Sequence, residues 1–269
     1  MAAQQGFAYE NNAFKALAKF GISAGSGAAG ASSDRPDLEI KLIRDKTGVN
    51  KEGCELKIAP TAAGSLVLKY YDGKWAYGAT DNDPEKELLV ALGNKYKLLN
   101  EMNVSGTYGK NWRGKVPFLQ NDKAGKKIVP SGKTKADAYK EDIKQFSGPN
   151  EVHIPVPAKA ICDYYNSKKC AYINVGTHGF FLLNKADPLK LNQKLKNKIP
   201  DFADIASSRI RVRCQYKGSG DYQFVMTLEF SKMAKSLYNI APVMNASNIT
   251  INEMAYQTEY NKQLIGAFA

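Results

Sequence analysis

The chain has 269 residues, 43% of them hydrophobic, enough to bury a sizeable core and short enough for one elaborated domain or one domain plus a module, with a single main core expected. Its 38 Lys and Arg against 26 Asp and Glu leave a formal net charge of +12, which points to a polyanionic partner, nucleic acid first. No stretch approaches the roughly 20 consecutive apolar residues of a membrane span, and the opening MAAQQGFAYENN lacks a basic-then-apolar signal pattern, so a soluble, cytoplasmic protein with no membrane partner is expected.

Cys54, Cys162, Cys170 and Cys214 are dispersed, and with only His153 and His178 available they argue against structural zinc or a disulfide framework. Phe7, Glu10, Phe14, Leu17 and Ala18 recur at helical spacing from Gly6 to Lys19, and Gly21 falls where a helix C-terminus favours glycine. A first helix is predicted there. The small-residue run SAGSGAAGASSDR cannot bury side chains and reads as a connection or a loop closely approached by phosphate. Strands are predicted at Leu38 to Ile43 and Gly53 to Ile58, and Ser65 to Tyr71 leads through Asp72-Gly73 into Trp75 to Tyr77 as a hairpin.

Asp83-Pro84 has the form of a helix cap with proline in the first turn, opening an amphipathic helix through Leu88, Leu89, Leu92, Tyr96 and Leu99. From Gly106 to Lys135 the chain is rich in Gly, Lys and Asn, a long basic loop region with few core residues, closed by a short helix at Ala136 to Phe146. A helix is expected near Ala158 to Asn166, then strands Ala171 to Val175 and Phe180 to Leu183 around Gly176 and Gly179. A further pair, Ile210 to Tyr216 and Tyr222 to Phe230, is joined by Gly218-Ser219-Gly220, and the Asn-rich tail from Asn239 has no clear element. The expected organisation is a core over 1–104, a basic insertion over 105–150 and a β-rich elaboration over 151–269.

Pro36-Asp37 is followed, eighteen positions after the aspartate, by Glu55-Leu56-Lys57. Asp37 opens one predicted strand, while Glu55 and Lys57 lie two apart on the next, so alternation sends both from one face. Phosphodiester hydrolysis requires hard oxygen ligands for Mg²⁺, which suits Asp37 and Glu55, and a cation beside the attacking water or the phosphate, which suits Lys57. Glu10 lies between Phe7 and Phe14 on the apolar stripe. Either it turns inward to a metal site or to Lys57, because a buried carboxylate needs a partner, or the first turn frays and leaves it in water. The nearby acids Asp34, Glu39 and Asp45 are expected to be solvated.

QQGFAYENNAFKALAKFGI, the run AGSGAAG, PDLEI and CELKIA together resemble the catalytic core of the PD-(D/E)xK, or restriction-endonuclease-like, nuclease superfamily, similar in order to archaeal-type Holliday-junction resolvases. The resemblance covers roughly the first 80 residues. It implies an α/β (α+β) fold with a central mixed β-sheet flanked by helices, extended by the β-rich C-terminal elaboration. It implies an active site of Glu10, Asp37, Glu55 and Lys57, with Mg²⁺, for which Mn²⁺ substitutes, held by Asp37, Glu55 and the backbone carbonyl of Leu56. The activity implied is that of a metal-dependent DNA endonuclease of restriction or homing type. A Holliday-junction resolvase or repair nuclease, and a non-enzymatic nucleic-acid-binding protein, are the alternatives. Cleavage of both strands of duplex DNA with one site per chain calls for a homodimer.

Two further segments bear on DNA. Arg209, Arg211 and Arg213 alternate with Ile210, Val212 and Cys214, so one strand face carries three guanidiniums, suited either to phosphates or to plain solvation. The segment GTYGKNWRGK offers Lys110, Trp112, Arg113 and Lys115, a set for gripping phosphate and stacking a base, with Trp112 as a lid over the core the other reading. His178, in the turn GTHG, has no nucleophile pattern around it and reads as a turn residue.

Overall fold

The computed structural model of the chain describes residues 2–25, 27, 35–104, 106–218, 221–244, 249–251 and 253–269. Most of SAGSGAAGASSDR, including Asp34, lies outside these residues, as do Ser219-Gly220 of the last strand connection and residues 245–248 of the Asn-rich tail. In chain order the helices and strands begin with α1 (Ala2–Ala18), β1 (Ser23–Ala24), β2 (Leu38–Lys41), β3 (Lys51–Lys57), β4 (Ala62–Tyr71), β5 (Lys74–Tyr77), α2 (Pro84–Lys95), α3 (Leu98–Asn103), β6 (Gln120–Asn121) and β7 (Lys127–Ile128). They continue with α4 (Lys135–Phe146), β8 (Val152–Val156), α5 (Lys159–Ser167), β9 (Cys170–Val175), β10 (Gly179–Leu182), α6 (Phe202–Ile205), β11 (Ala206–Gly218), β12 (Asp221–Met233) and α7 (Glu259–Ala267). The protein is therefore mixed α/β, and among the described residues no helix is long and apolar enough to cross a membrane.

The chain divides into two compact units, one of 1–61, 157–207 and 230–269, the other of 62–156 and 208–229. They interleave along the sequence, whereas the segments 1–104, 105–150 and 151–269 were expected to follow one another. The physical reason is a strand pattern that alternates alike in both units, so nothing local marks where the chain passes from one sheet to the other.

The first unit holds a mixed sheet in the order β1-β2-β3-β9-β10. Strands β1, β2 and β3 pair antiparallel, β9 runs parallel to β3, and β10 turns back antiparallel on β9. A parallel neighbour demands a crossover. Here the chain leaves β3, forms most of the second unit, and returns through α5 into β9. Four consecutive β3 residues, Gly53 to Leu56, are buried, as a central strand covered on both faces requires.

Helix α1 packs on this unit's core through Tyr9, Ala13, Ala16 and Leu17, a spacing of i, i+4, i+7 and i+8. The buried stripe is rotated from the one expected: Phe7 is 51% exposed and Phe14 only partly buried. The Tyr9 hydroxyl decides the rotation by donating to the Ala241 carbonyl and accepting from Asn174 Nδ2 at 3.3 Å, a polar anchor that Phe7 and Phe14 lack. Gly21, at φ +74°, ends the helix in the left-handed conformation its type favours.

The second unit is built on a sheet of order β5-β4-β12-β11-β8, with the small β6-β7 pair beside it. Asp72 and Gly73, at φ 51° and 72°, make the tight turn between β4 and β5. Asp83 caps α2, accepting from the Glu85 amide at 3.0 Å, and Thr134 with Asp137 forms a capping box on α4.

Beside the sheet, β3 is threaded where a side chain would not fit. A Cβ on Gly53 would collide with the Lys169 carbonyl and lie 2.9 Å from Pro36 Cβ. Glycine thus lets the start of β2 and the end of α5 close on the central strand. Gly53→Ala is expected to lower stability by about 1–3 kcal/mol through overpacking, read as a reduced urea midpoint with an unchanged slope.

Candidate active site

Glu55 and Lys57 leave the same face of β3, opposite Ile173 and Val175 of β9, while Leu56 points the other way into the core with Cys54. Asp37 immediately precedes β2, whose first register pair is Leu38 with Cys54, so it lies across from Glu55. Its Oδ2 accepts the Leu56 amide at 2.9 Å. The structure thus brings Asp37, Glu55 and Lys57 to one place. Lys57 Nζ is 2.5 Å from Glu55 Oε1 and 3.8 Å from Asp37 Oδ2, an ammonium held between two carboxylates.

Two groups of this cluster were not legible in the sequence, and both come from the end of α5. Lys168 Nζ approaches the second oxygen of Glu55, Oε2, at 3.4 Å, with only 8% of the residue exposed. The Tyr165 ring lies under Lys57, Nζ to centroid 5.7 Å, and its buried hydroxyl has no hydrogen-bond partner. A lysine pair before a strand reads as a solvated turn. Only the parallel crossover, which ends α5 beside β3, turns Lys168 into a site residue.

Glu10 joins the cluster from α1, on the flank of the helix's buried stripe. Its Oε2 is buried without a hydrogen-bond partner. Burial is the main cause that pushes its carboxyl up to about 7, with Lys57 opposing and Glu55 reinforcing the shift. Asp37 is pushed up to about 8, first by burial and then by the charge of Glu55. Glu55 goes the other way: burial acts to raise it, but Lys57 and Lys168 outweigh burial and hold it below the usual carboxylate range. Lys57 is held well above its ordinary value, since Glu55, Tyr165 and Asp37 together overcome its desolvation.

The site is therefore short of positive charge at Asp37 and Glu10 and saturated with it at Glu55. That chemistry fits a divalent cation, which would stabilise ionised Asp37. Asp37 and Glu55 are the residues that could hold it. Among the described residues, no three His, Cys, Asp or Glu side chains are gathered closely enough to form a ligand cluster. Of the acids set aside, Asp45 accepts the Thr47, Gly48 and Asn50 amides in its own turn, and Glu39 pairs with Lys51 at 2.7 Å. His178 is a turn residue bonded to Thr177, as expected.

The residues marked for DNA contact belong to the second unit. Trp112 is a core residue, 1% exposed, its Nε1 donating to the Asn150 carbonyl at 2.6 Å and its ring 4.9 Å from Trp75 and 4.8 Å from Phe146. It is not a base-stacking side chain. Burying so large a ring anchors the basic loop, and the buried Asp142 carboxylate adds to this by accepting the Phe118 and Leu119 amides at 2.8 and 3.0 Å. Lys110 and Arg113 are exposed beside it, and Lys115 reaches the Gln145 carbonyl at 3.4 Å. On β11, Arg211 forks onto Glu151 at 2.7 and 2.9 Å and Arg209 meets Glu229 at 2.6 Å, while Arg213 bonds Gln215. The positive charge of Arg209 and Arg211 is thus balanced by the carboxylates of Glu229 on β12 and of Glu151 just before β8.

No protein family, no curated protein and no solved structure matches this chain.

Because Asp37 and Glu10 bind protons more tightly folded than unfolded, the folded state holds more protons between about pH 4 and pH 8, and stability falls as pH rises through that window. Glu55 contributes with the opposite sign, its stabilisation present above the unfolded value and lost in acid. Asp37→Asn, which keeps an oxygen for the Leu56 amide, is expected to raise the melting temperature in EDTA at pH 8 and to flatten this dependence; an unchanged pH profile would count against the buried-carboxyl account. In the second unit, Trp112→Ala should cost about 3–5 kcal/mol of stability.

Proposed function

We propose that this chain is a metal-dependent DNA endonuclease of the restriction-endonuclease-like class, hydrolysing phosphodiester bonds at Asp37, Glu55 and Lys57. The observation that carries the reading is one buried cluster, at the centre of a mixed sheet between α1 and α5, in which two carboxylates and a lysine converge although eighteen residues separate their sequence positions. Buried charge of this kind costs stability, and a cluster with strongly shifted pKa values is a functional-site candidate.

The division of labour follows from the surroundings of each group. Asp37 and Glu55, with the carbonyl of Leu56 as a further oxygen, form the cation-holding side of the site. A hard cation, Mg²⁺ with Mn²⁺ as substitute, supplies Lewis-acid activation at such a pair. Lys57, fully protonated, offers its charge to the scissile phosphate as it leaves the carboxylates. Glu10, with a carboxyl near neutrality and an unpartnered Oε2, suits acceptance of the proton from the attacking water.

DNA as the substrate is supported by the net charge of +12 and by the exposed Lys110 and Arg113 on a loop anchored by Trp112. Paired cuts in a duplex call for two chains acting as a dimer. Replacing both Lys110 and Arg113 by Ala should reduce the slope of log affinity against log salt by about 2, with cleavage chemistry otherwise intact.

Supercoiled plasmid incubated with the protein and Mg²⁺ should yield nicked or linear products that EDTA abolishes. Glu55→Gln and Lys57→Ala, shown to be folded by melting, should each lose at least about 100-fold in rate. Plasmid bound but never cut, with Mg²⁺ and with Mn²⁺, would replace this reading with that of a non-enzymatic DNA-binding protein. Branched and linear duplexes offered in parallel separate a junction resolvase from a site-specific endonuclease.

A further inference from the structure

Lys110 and Arg113 lie on the second unit, whereas the cluster around Glu55 lies on the first. The first unit has a basic surface of its own. An open groove of about 550 Å³ runs between the turn that joins β2 to β3, with Arg44 and Lys51, and the segment after β10, with Lys190 and Lys194. The second of these walls is anchored from below: Leu189, Leu191, Leu195 and Ile199 are buried in the core, while Lys190, Lys194, Lys196 and Lys198 between them are exposed. The Asp187 carboxylate accepts the Leu191 and Asn192 amides at 3.1 and 2.8 Å and the Tyr172 hydroxyl at 2.8 Å, and the Asn192 side chain accepts the Ile199 amide at 2.7 Å. The lysines therefore project from a backbone already fixed before a ligand arrives.

These cations differ from Arg209 and Arg211 of β11 in lacking carboxylates. Lys51 pairs with Glu39, but the side chains of Arg44, Lys190 and Lys194 have no hydrogen-bond or ion-pair partner among the described residues. Of the two acids in the groove, Asp45 turns both oxygens onto the amides of its own turn, which leaves Glu52 to oppose an incoming anion. Exposed cations spread over two walls hold a single small anion weakly, since each is solvated and screened. A polymer carrying a charge about every 3.4 Å along each strand engages them together and releases counterions at each. The groove also lies along the strand of the site, Glu52 preceding Glu55 by three residues, roughly 10 Å at about 3.3 Å per residue and less than the ~34 Å of a duplex turn. One nucleic-acid molecule is long enough to engage both.

We infer that this groove binds the phosphodiester backbone of nucleic acid, with Arg44, Lys190 and Lys194 as its phosphate contacts. The inference goes beyond the nuclease reading and stands without it, since a chain that binds DNA and does not cut it would use the same groove.

The test follows the fluorescence anisotropy of a short labelled duplex titrated with the full chain at several salt concentrations, in EDTA so that the result does not depend on cleavage. Arg44→Gln, Lys190→Gln and Lys194→Gln combined should weaken binding roughly tenfold or more at low salt and reduce the slope of log affinity against log salt by up to about 3. Lys15→Gln, Lys235→Gln and Lys262→Gln remove the same charge from exposed positions of the same unit outside the groove, and should change the slope by less than about 1. Glu52→Gln, which removes the opposing charge, should tighten binding severalfold. Lys194→Gln alone, with the slope lowered by about 1, stands in if the groove triple melts below the unmodified chain. Equal losses in the two triples would assign binding to the overall net charge and overturn the inference. Failure of the unmodified chain to bind the duplex at low salt would overturn it as well. So would competition by polyglutamate as strong as that by unlabelled duplex at equal charge, which would make an acidic polypeptide the occupant.

Discussion

An ionised carboxylate sits on the central strand of the first unit with 1% of its surface exposed, and the surrounding structure is organised by the need to compensate it. Glu55 keeps its charge because two ammonium groups reach it, one from two residues along its own strand and one from the end of a helix more than a hundred residues away. Asp37 has no such escort. It accepts a backbone amide, faces a lysine already committed to Glu55, and holds its proton up to about pH 8 as a result. Two carboxylates side by side, one forced to ionise and one forced to stay protonated, make a site whose charge state responds to whatever cation or anion arrives.

That arrangement depends on topology. The parallel pairing of β3 with β9 requires a long crossover, and the end of that crossover delivers Tyr165 and Lys168 to the face where Glu55 and Lys57 emerge. The absence of a side chain at Gly53 lets the three strands of chain meet there. Most of the second unit is made during the same crossover. The second unit has its own logic. An aromatic cluster of Trp75, Trp112, Phe146 and Phe224 and the buried Asp142 carboxylate fix a lysine-rich loop that has no regular backbone pairing over much of its length.

Polar anchors decided several positions that hydrophobic pattern alone misplaced. Helix α1 could have buried the stripe with Phe7 and Phe14, yet the bonds of the Tyr9 hydroxyl turn it so that Tyr9, Ala13 and Leu17 face the core. Glu10 lies on the flank of that stripe, its Oε2 buried and its carboxyl acted on by Lys57 and Glu55. On β11 the alternation of arginines is real, but Glu229 on β12 and Glu151 just before β8 meet two of them, and no local pattern could announce partners so distant in sequence.

The sequence by itself determined the local events: the helix that ends at Gly21, the Asp72-Gly73 turn, the Asp83-Pro84 cap, and the pairing of Asp37 with a Glu55-Lys57 strand on which two side chains must share a face. These follow from backbone preference and two-residue alternation, which act over a few positions. Only the tertiary structure decided that Trp112 is core, that Arg209 and Arg211 are compensated, and that Lys168 and Tyr165 belong with Glu55. Burial and charge compensation are properties of what surrounds a side chain, and here those surroundings come from sheet order and a crossover that no short stretch of sequence encodes.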